Sequence, residues 1–256
     1  MRWPAEAIWQ VVAPMLPAFT VEVLPLLDST NSELMRRGRA GLTDPSLLVA
    51  EQQTAGRGRL GRHWHSLAGD SLTFSMGLML APSDWSGLSL AVGVCLADAL
   101  HPRIRLKWPN DLWLDDRKLG GILIETASSG DAAPAAQVAR YAVIGVGINI
   151  VPRQLSGLST PPAALQELAA GTDAAQTLLR VAEPLVRTLQ AFETFGFAPF
   201  QARFNVRDAL RERAVVLSDG TTGTAHGVSE TGVLLVHTAH GMRAVTSSEV
   251  SVRPVP

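Results

Sequence analysis

The sequence predicts an α+β fold, in which a mixed β-sheet packs against helices and a small β-barrel follows. Short segments of alternating apolar and polar residues are typical of strands with one buried face, and they occur between longer segments that favour helices. From about Ala214 the chain changes to short β-like runs that end in glycine turns. We therefore predict a larger domain over residues 1–208 and a smaller one over residues 209–256.

The N-terminal part of the larger domain predicts strands over residues 20–27, 46–52 and 72–80. The segment Thr30-Asn31-Ser32-Glu33 has the form of a capping box, which predicts a short helix that ends near Gly38. Residues 88–100 form an apolar run that is long enough for a buried helix. Cys95, the single cysteine of the chain, lies in this run, and we expect it to be a small core residue.

A strand and a hairpin are predicted next. Residues 103–108 alternate strictly, so Ile104, Leu106 and Trp108 should face one way and the three basic residues between them the other. Those basic residues are Arg103, Arg105 and Lys107. Residues 112–114 and 119–126 predict a hairpin around the turn Asp115-Asp116, with Lys118 at the start of the returning arm.

The remaining elements are a strand, a helical region and the barrel. A strand is expected over residues 141–150, and residues 152–204 predict helices with loops. Thr172-Asp173 should start one helix, and Pro184 should kink it. Beyond Ala214, five short strands at close spacing are typical of a small barrel. The turns that separate them are at Asp219-Gly220, Gly227, Gly232 and Gly241.

Composition excludes several classes of protein. Hydrophobic residues make up 46% of the 256 residues and charged ones 18%, which is typical of a globular chain and not of a disordered one. The formal net charge of −1 provides no overall basic field that would attract DNA or an anionic membrane. The sequence lacks an apolar run long enough for a membrane span, and it lacks a secretory signal pattern. Because a single cysteine also fits a reducing compartment, we expect a cytoplasmic protein.

Both lysines of the chain lie in one short stretch, although the chain has 22 lysines and arginines in total. The stretch reads Lys107-Trp108-Pro109-Asn110-Asp111 and continues to Arg117-Lys118-Leu119-Gly120-Gly121. Lysine is a compact charge on a flexible stem, whereas arginine presents a flat fork, so this placement indicates a chemical role. Asp111 is a candidate ligand for Mg²⁺ beside phosphates. A turn-capping role for Asp111 and solvated positions for both lysines are the alternatives.

A second candidate segment is the run Gly56-Arg57-Gly58-Arg59-Leu60-Gly61-Arg62. Glycine lets a backbone approach a ligand, and arginine donates forked hydrogen bonds to a carboxylate or phosphate. The run lacks the Gly-Lys-Ser/Thr ending of a Walker A loop. It predicts a loop that closes over an anion, with a solvated turn or an RNA-binding patch as the alternatives.

Asn149 ends the segment Gly145-Val146-Gly147-Ile148-Asn149, where its amide could lie near a base or a ribose. A turn role at the end of the strand is the alternative for this residue. The histidines show no spacing with cysteine that indicates a metal site, and no Ser/His/Asp order is apparent.

Taken together, these segments resemble the biotin protein ligase family. The matching segments are residues 28–32 (DSTNS), 53–64 (QTAGRGRLGRHW), 107–111 (KWPND), 118–123 (KLGGIL) and 145–149 (GVGIN). Each match is weak alone, but five collinear matches are strong. The resemblance covers residues 20–150 by motif and reaches the C-terminal strands by pattern.

The resemblance implies a class II synthetase-like catalytic core followed by an SH3-like C-terminal barrel. It also implies a two-step reaction, in which biotin and Mg-ATP give biotinyl-AMP and pyrophosphate, and a lysine of a biotin carboxyl carrier protein then accepts the biotin. The cofactor would be Mg²⁺, and the partner would be the carrier domain of a biotin-dependent carboxylase. A homodimer stays open as an expectation.

The resemblance further implies the site residues. Biotin would contact Ser29, Thr30, Asn31, Gln53, Arg57, Gly58, Arg59, Lys118 and Gly121. ATP and the adenylate would contact Arg57, Arg59, Arg62, Trp64, Lys107, Asn110 and Asn149. The catalytic residues would be Lys118, Arg57, Lys107 and Asp111, with Lys118 between the biotin carboxylate and the α-phosphate and Asp111 as the Mg²⁺ ligand.

Two positions depart from the family pattern. Leu60 stands where an arginine is usual, and Ser248-Glu249-Val250 replaces a more usual Gly-Glu-Val. Fewer than about twenty residues precede the first predicted strand, which leaves no room for the helix-turn-helix repressor domain of many relatives. We therefore expect a ligase without specific DNA binding.

Two other functions compete with biotin ligation. Lipoate ligation uses the same adenylate chemistry, but lipoate lacks the ureido ring that a polar pocket of Ser29, Thr30, Asn31 and Gln53 would hold. A non-catalytic RNA-binding module is the alternative from another class, and the net charge of −1 disfavours it.

Overall fold

A computed structural model describes residues 2–127, 139–153, 160–246 and 252–255. Within these residues the larger domain contains a seven-stranded sheet and helices on both of its faces. The strands are β1 Thr20–Leu27, β2 Ser46–Gln53, β3 Ser71–Leu80, β4 Arg105–Lys107, β5 Asp111–Leu114, β6 Arg117–Ala127 and β7 Arg140–Asn149. The helices are α1 Ala5–Val12, α2 Thr30–Arg39, α3 Leu88–Leu100, α4 Ala174–Phe195 and α5 Ala198–Arg207.

The strand order of this sheet is β1-β2-β3-β7-β6-β5-β4. The β1 and β2 strands pair in parallel, and the other neighbouring strands pair antiparallel. The sheet is therefore mixed, which confirms the predicted fold class. Most of the predicted strands and helices are found within a residue or two of their expected positions.

The two faces of the sheet are covered by different helices. Along β7, Ala142 and Ile144 belong to the main core, whereas Tyr141 and Val143 belong to a smaller cluster that includes Leu34 of α2. Alternate residues of a strand point to opposite faces, so α2 covers the face opposite to the main core. Helices α3 and α4 pack against each other and against the sheet on the main-core side. Cys95 is buried there, as predicted.

The first helix after β1 begins one residue earlier than predicted. Ser29 is the N-cap of α2, and its Oγ accepts a hydrogen bond from the backbone N–H of Ser32 at 3.4 Å. The capping box predicted from Thr30 to Glu33 is therefore wrong in register. Ser29 and Thr30 are both good capping residues, so the sequence pattern does not distinguish the two registers.

Two other elements differ from the predictions. Helix α1 was not predicted. Its N-cap residue is Pro4, which provides no side-chain cap, and its Ile8 and Val12 are buried in the core. The strand predicted over residues 103–108 is limited to β4, since the N–H of Ile104 donates to His101 O in a turn at 3.1 Å. The buried side of this strand is as predicted, because Ile104, Leu106 and Trp108 are in the core.

The start of α4 is confirmed, since Oδ1 of Asp173 accepts from the N–H of Gln176 at 2.7 Å. Pro184 lies inside α4, and the kink there stays a prediction.

The smaller domain contains a five-stranded antiparallel sheet with the order β11-β10-β9-β8-β12. Its strands are β8 Ala214–Leu217, β9 Thr222–Val228, β10 Leu234–Thr238, β11 Gly241–Val245 and β12 Val252–Pro254. The five short strands are confirmed, and their closure into a barrel stays a prediction. The boundary at residues 208 and 209 falls between α5 and β8 and also stays a prediction. The departure at Ser248-Glu249-Val250 lies outside the described residues.

The smaller domain binds to the strands that carry the lysine motif. The indole Nε1–H of the buried Trp108 donates to the carbonyl of Gly232, between β9 and β10, at 3.1 Å. The N–H of Ala209 donates to Leu106 O at 2.9 Å, and Arg213 pairs with Asp116 at 2.6 Å. The β4–β5 hairpin and the turn after it therefore form the part of the larger domain to which the smaller domain is bonded.

Within the described residues, the helices are all too short or too polar to cross a membrane.

We expect Asp208→Asn to stabilise the protein at neutral pH. Burial raises the pKa of Asp208 to about 6, and its Oδ2 has no hydrogen-bond partner among the described residues. The pKa of this carboxyl is higher in the folded state than in the unfolded state. The free energy of unfolding therefore falls as the pH rises from the unfolded-state pKa through about 6. Asparagine carries no charge and keeps an oxygen that can accept from the N–H of Leu210, as Oδ1 does at 2.8 Å.

Urea unfolding at about pH 7.5 should show a gain of about 2 to 3 kcal/mol, which shrinks towards zero near pH 4. Asp173→Asn is the matched control, because this exposed carboxylate also accepts from a backbone N–H. It should change stability by less than about 0.5 kcal/mol at both values of pH. A gain from Asp208→Asn that does not depend on pH would contradict the assigned cause.

Candidate active site

A cavity of about 440 Å³ lies where the start of α2, the Arg/Gly loop, the β5–β6 hairpin, β7 and the last strand of the smaller domain meet. All the residues that the sequence predicted for binding or catalysis line this one cavity. They are Ser29, Thr30, Asn31, Gln53, Arg57, Gly58, Arg59, Arg62, Trp64, Lys107, Asn110, Asp111, Lys118, Gly121 and Asn149. The fold thus brings together segments that are up to about 120 residues apart, and the individual roles stay predictions.

One end of the cavity is a network of buried polar groups. Ser75 is fully buried in β3, and its Oγ contacts Oδ1 of Asn31 at 2.6 Å and Oγ1 of Thr30 at 2.7 Å. The N–H of Thr30 donates to Oε1 of Gln53 at 2.8 Å. Because buried polar groups are costly unless they are paired, this network holds each side chain in one orientation.

Two glycines of β7 make room for cavity side chains. A Cβ atom at Gly145 would overlap Oδ1 of Asn31, and one at Gly147 would approach Cε2 of Trp64 to 2.5 Å. Glycine is therefore required at these positions by close approach and not by backbone conformation. The indole of Trp64 lies against β7, and its buried Nε1–H has no partner among the described residues.

The Arg/Gly loop is held mainly by its own backbone. The N–H of Gly58 donates to Arg62 O at 2.7 Å, and the N–H of Trp64 donates to Gly56 O at 2.9 Å. Between these contacts, residues 59–61 form a short 3₁₀ turn in which Leu60 has a φ of 56°. A left-handed conformation costs a branched residue about 1 kcal/mol or more, so the loop carries local strain at this point. The Leu60 side chain is 69% exposed.

The two lysines occupy different environments. Lys118 Nζ forms an ion pair with Oδ1 of Asp111 at 2.7 Å, and its side chain is about one third exposed. Its backbone is fixed from both sides, because its N–H donates to Pro161 O and its carbonyl accepts from Ala163. Nδ2 of Asn149 also donates to this carbonyl, at 3.2 Å. Lys118 therefore presents a fixed ammonium beside a carboxylate.

Lys107 is half-buried, and burial lowers its pKa, while the nearby Asp111 carboxylate opposes the shift. Its Nζ lies 5.3 Å from the centroid of the Trp113 ring, which is within the range of a cation–π contact. Asn110 is held by its Nδ2, which donates to Ile122 O at 2.8 Å. The end of β4 and the start of β5 therefore place the Lys107 cation and the Asp111 carboxylate in the same wall of the cavity.

Other residues in or beside the cavity were not predicted from the sequence, and three of them are charged or aromatic. Trp113 lines the cavity below Lys107, and Arg253 of β12 brings a cation from the smaller domain. Glu125 of β6 contacts both Arg57 and Asn31. A signal for Glu125 exists, since it is a charged residue directly after the apolar run Ile122-Leu123-Ile124. A signal for Arg253 is its position three residues after Val250 of the C-terminal pattern.

Comparison with known proteins identifies the family. One family model, the Biotin/lipoate A/B protein ligase family, matches residues 23–149, and a second, the Biotin protein ligase C terminal domain, matches residues 214–253. The Biotin--[acetyl-CoA-carboxylase] ligase of Paracoccus denitrificans is 30% identical over 89% of this chain and 98% of its own. The chain belongs to the biotin protein ligase family.

Other members of the biotin protein ligase family agree. The Bifunctional ligase/repressor BirA of Escherichia coli is 37% identical over 91% of this chain and 74% of its own. The biotin protein ligase from Aquifex aeolicus in complex with biotin and ATP is similar in structure, with a TM-score of 0.76 and 30% identity over 92% of this chain and 99% of that one. The protein is thus an enzyme of the ligase class, as the motifs predicted.

We expect Gly145→Ala to destabilise the protein by displacing the Asn31 amide. A buried amide that loses its partners costs about 1 to 3 kcal/mol, and urea unfolding should measure a loss of this size. The same substitution in an Asn31→Ala background should cost less than about 0.5 kcal/mol, because the obstructing oxygen is absent. An equal loss in both backgrounds would show that Gly145 is required for some other reason.

Proposed function

We propose that this enzyme activates biotin with ATP to form biotinyl-5′-AMP and then transfers biotin to a lysine of a biotin carboxyl carrier protein. The observation that carries the proposal is the division of one cavity into two parts. A polar end, formed by the buried Ser29, Thr30 and Asn31 and the half-buried Gln53, continues into a part lined by arginines and both lysines. The first suits a polar ring, and the second suits a carboxylate and phosphates.

The polar end would hold the ureido ring of biotin. Hydroxyl and amide groups in fixed orientations match a ring that both donates and accepts hydrogen bonds. Gly121 supports an approach of the biotin chain to Lys118, since a Cβ there would lie 3.4 Å from Nζ. The carboxylate would then lie near Arg57, Gly58, Arg59 and Lys118.

In the first step an oxygen of the biotin carboxylate attacks the α-phosphorus, and the bond from that phosphorus to pyrophosphate breaks. Two anions must approach each other, so the main requirement is preorganised positive charge. Lys118 is suited to this task, because its ammonium is fixed by Asp111 before any ligand binds. No covalent bond to the enzyme is needed.

In the second step the neutral amine of the carrier lysine attacks the acyl carbon, AMP leaves with the bonding electron pair, and the nitrogen releases a proton to solvent as the amide forms. The mixed anhydride must be kept from water until the lysine arrives. The Arg/Gly loop is suited to cover it, since the backbone of this loop is bonded mainly to itself and borders the cavity.

The triphosphate and the adenine would occupy the cation-rich part of the cavity. Lys107, Arg59 and Arg62 would contact phosphates, and the unpaired Nε1–H of Trp64 is a donor available to the nucleotide. Burial lowers the pKa of Arg59, yet an arginine stays protonated, so it keeps its charge in the cavity. Asn110 and Asn149 would line the same region.

Mg²⁺ would enter with ATP as part of the substrate. Within the described residues no group of three or more metal-ligating side chains is present, which fits an ion bound chiefly by phosphates. Asp111 would supply one carboxylate, and the ion would offset phosphate charge when bound.

The partner would be the carrier domain of a biotin-dependent carboxylase, and the location would be the cytoplasm. The free, buried thiol of Cys95 fits a reducing compartment. The absence of specific DNA binding and the formation of a homodimer stay predictions. Lipoate ligation and RNA binding receive no support from the relatives named above, which are named for biotin ligation or for ligase and repressor activity.

Incubation of the enzyme with biotin, Mg-ATP and a carrier domain tests the proposal. Mass spectrometry should show that the carrier gains the mass of one biotin, and that lipoate in place of biotin gives no gain. An unchanged carrier mass with biotin would refute the proposed function.

We expect Lys118→Ala to abolish adenylate formation more than it weakens biotin binding. The lost cation acts between two anions in the transition state, so pyrophosphate exchange should fall by about 100-fold or more. The Kd for biotin, measured by calorimetry, should rise by less than about tenfold. Near-normal exchange in this variant would refute the role of Lys118.

Two variants serve as comparisons for Lys118→Ala. Lys107→Arg keeps the charge in the cavity and changes only its shape, so it should reduce exchange less. Arg187→Ala removes an exposed cation that pairs with Glu183 on α4 and does not line the cavity. Arg187→Ala should leave exchange unchanged.

A further inference from the structure

Glu125 joins two parts of the cavity that carry different groups. Its Oε1 accepts from Nη2 of Arg57 at 2.9 Å, and its Oε2 accepts from Nη1 of the same residue at 3.3 Å. Its Oε2 also accepts from Nδ2 of Asn31 at 3.0 Å. One carboxylate therefore contacts the first arginine of the loop and the buried amide at the start of α2.

The contact with Glu125 connects the Arg57 side chain to the sheet. Among the residues that the structure describes, the guanidinium has one other contact with the body of the domain, a long one from Nη1 to Oγ of Ser32 at 3.4 Å. Forked pairs of arginine and carboxylate are charge-assisted and fix the plane of the guanidinium. Since Arg57 is about half exposed, its orientation depends on this pair.

Glu125 also completes the hydrogen bonds of Asn31. That side chain is 3% exposed, and its Nδ2 donates to Leu123 O at 3.2 Å in addition to Glu125. Its Oδ1 accepts from Ser75 and lies against Gly145. The Asn31 amide is therefore held even without Glu125, whereas the Arg57 guanidinium is not.

We propose that Glu125 is a positioning residue of the ligase, which holds Arg57 over the cavity so that the guanidinium meets the biotin carboxylate. This inference rests on the proposed function. A guanidinium carries five N–H groups, and the pair with Glu125 occupies two of its nitrogens on one edge. Because Glu125 holds Arg57 against the sheet, the Arg57 side chain loses less conformational entropy when biotin binds.

The test is Glu125→Gln, which keeps the length of the side chain and an acceptor oxygen but removes the charge. We expect the KM for biotin in pyrophosphate exchange to rise by about tenfold, while kcat falls by less than about threefold. The melting temperature should stay within about 2 °C of that of the unaltered enzyme. A direct measurement of biotin binding by calorimetry should show the same rise in Kd.

The matched control is Glu22→Gln. Glu22 also binds an arginine through both oxygens, at 2.5 and 2.9 Å from Nη1 and Nη2 of Arg37, but Arg37 does not line the cavity, whereas Arg57 does. This variant should leave KM and kcat unchanged.

A double variant distinguishes positioning from a structural role. If Glu125 acts through Arg57, then Arg57→Gln with Glu125→Gln should have a KM for biotin within about twofold of that of Arg57→Gln alone. Independent effects that multiply, an unchanged KM in Glu125→Gln, or a large fall in melting temperature with equal losses in both constants would each overturn the proposal. Failure of the unaltered enzyme to bind or activate biotin would instead overturn the proposed function, and this inference with it.

Discussion

The side-chain amide of Asn31 joins three parts of the cavity that lie far apart in the sequence. It is buried against the backbone of Gly145, it accepts from Ser75 on β3, and it donates to Glu125 on β6. A buried amide is stable only when both of its ends are paired, and here Ser75 pairs with Oδ1 while Leu123 O and Glu125 accept from Nδ2. The start of α2, the middle of the sheet and, through Glu125, the Arg/Gly loop are therefore fixed relative to one another by one small side chain.

The charged part of the cavity depends on the balance between its positive and negative side chains. Several cations face one space, and Asp111 is the carboxylate that contacts Lys118 there. Burial is the main cause that lowers the pKa of Lys107, and the neighbouring cations Lys118 and Arg62 lower it further, because like charges repel. Anionic substrates would relieve that repulsion. Positive charge placed in this way is what electrostatic catalysis on phosphates and carboxylates requires.

The smaller domain contributes to this organisation from outside the sheet. Trp108 follows Lys107 and donates its indole N–H to the carbonyl of Gly232. A turn of the smaller domain therefore holds the end of β4, where Lys107 lies. Arg253 reaches the cavity from β12. The sequence motif at Lys107 to Asp111 therefore contains both cavity residues and the residue that binds the second domain. This explains why the motif is a continuous run, although only some of its side chains line the cavity.

The sequence by itself determined most of the strands and helices along the chain, the start of α4 at Asp173 and many of the residues that line the cavity. Local periodicity, capping chemistry and the family motifs depend on neighbouring residues, so they can be recognised from the sequence alone. The tertiary structure alone decided the register at Ser29, the short length of β4 and the presence of α1. It also decided that Glu125 and Arg253 belong to the site, because their importance comes from partners about 70 or more residues away, and no local pattern specifies such partners.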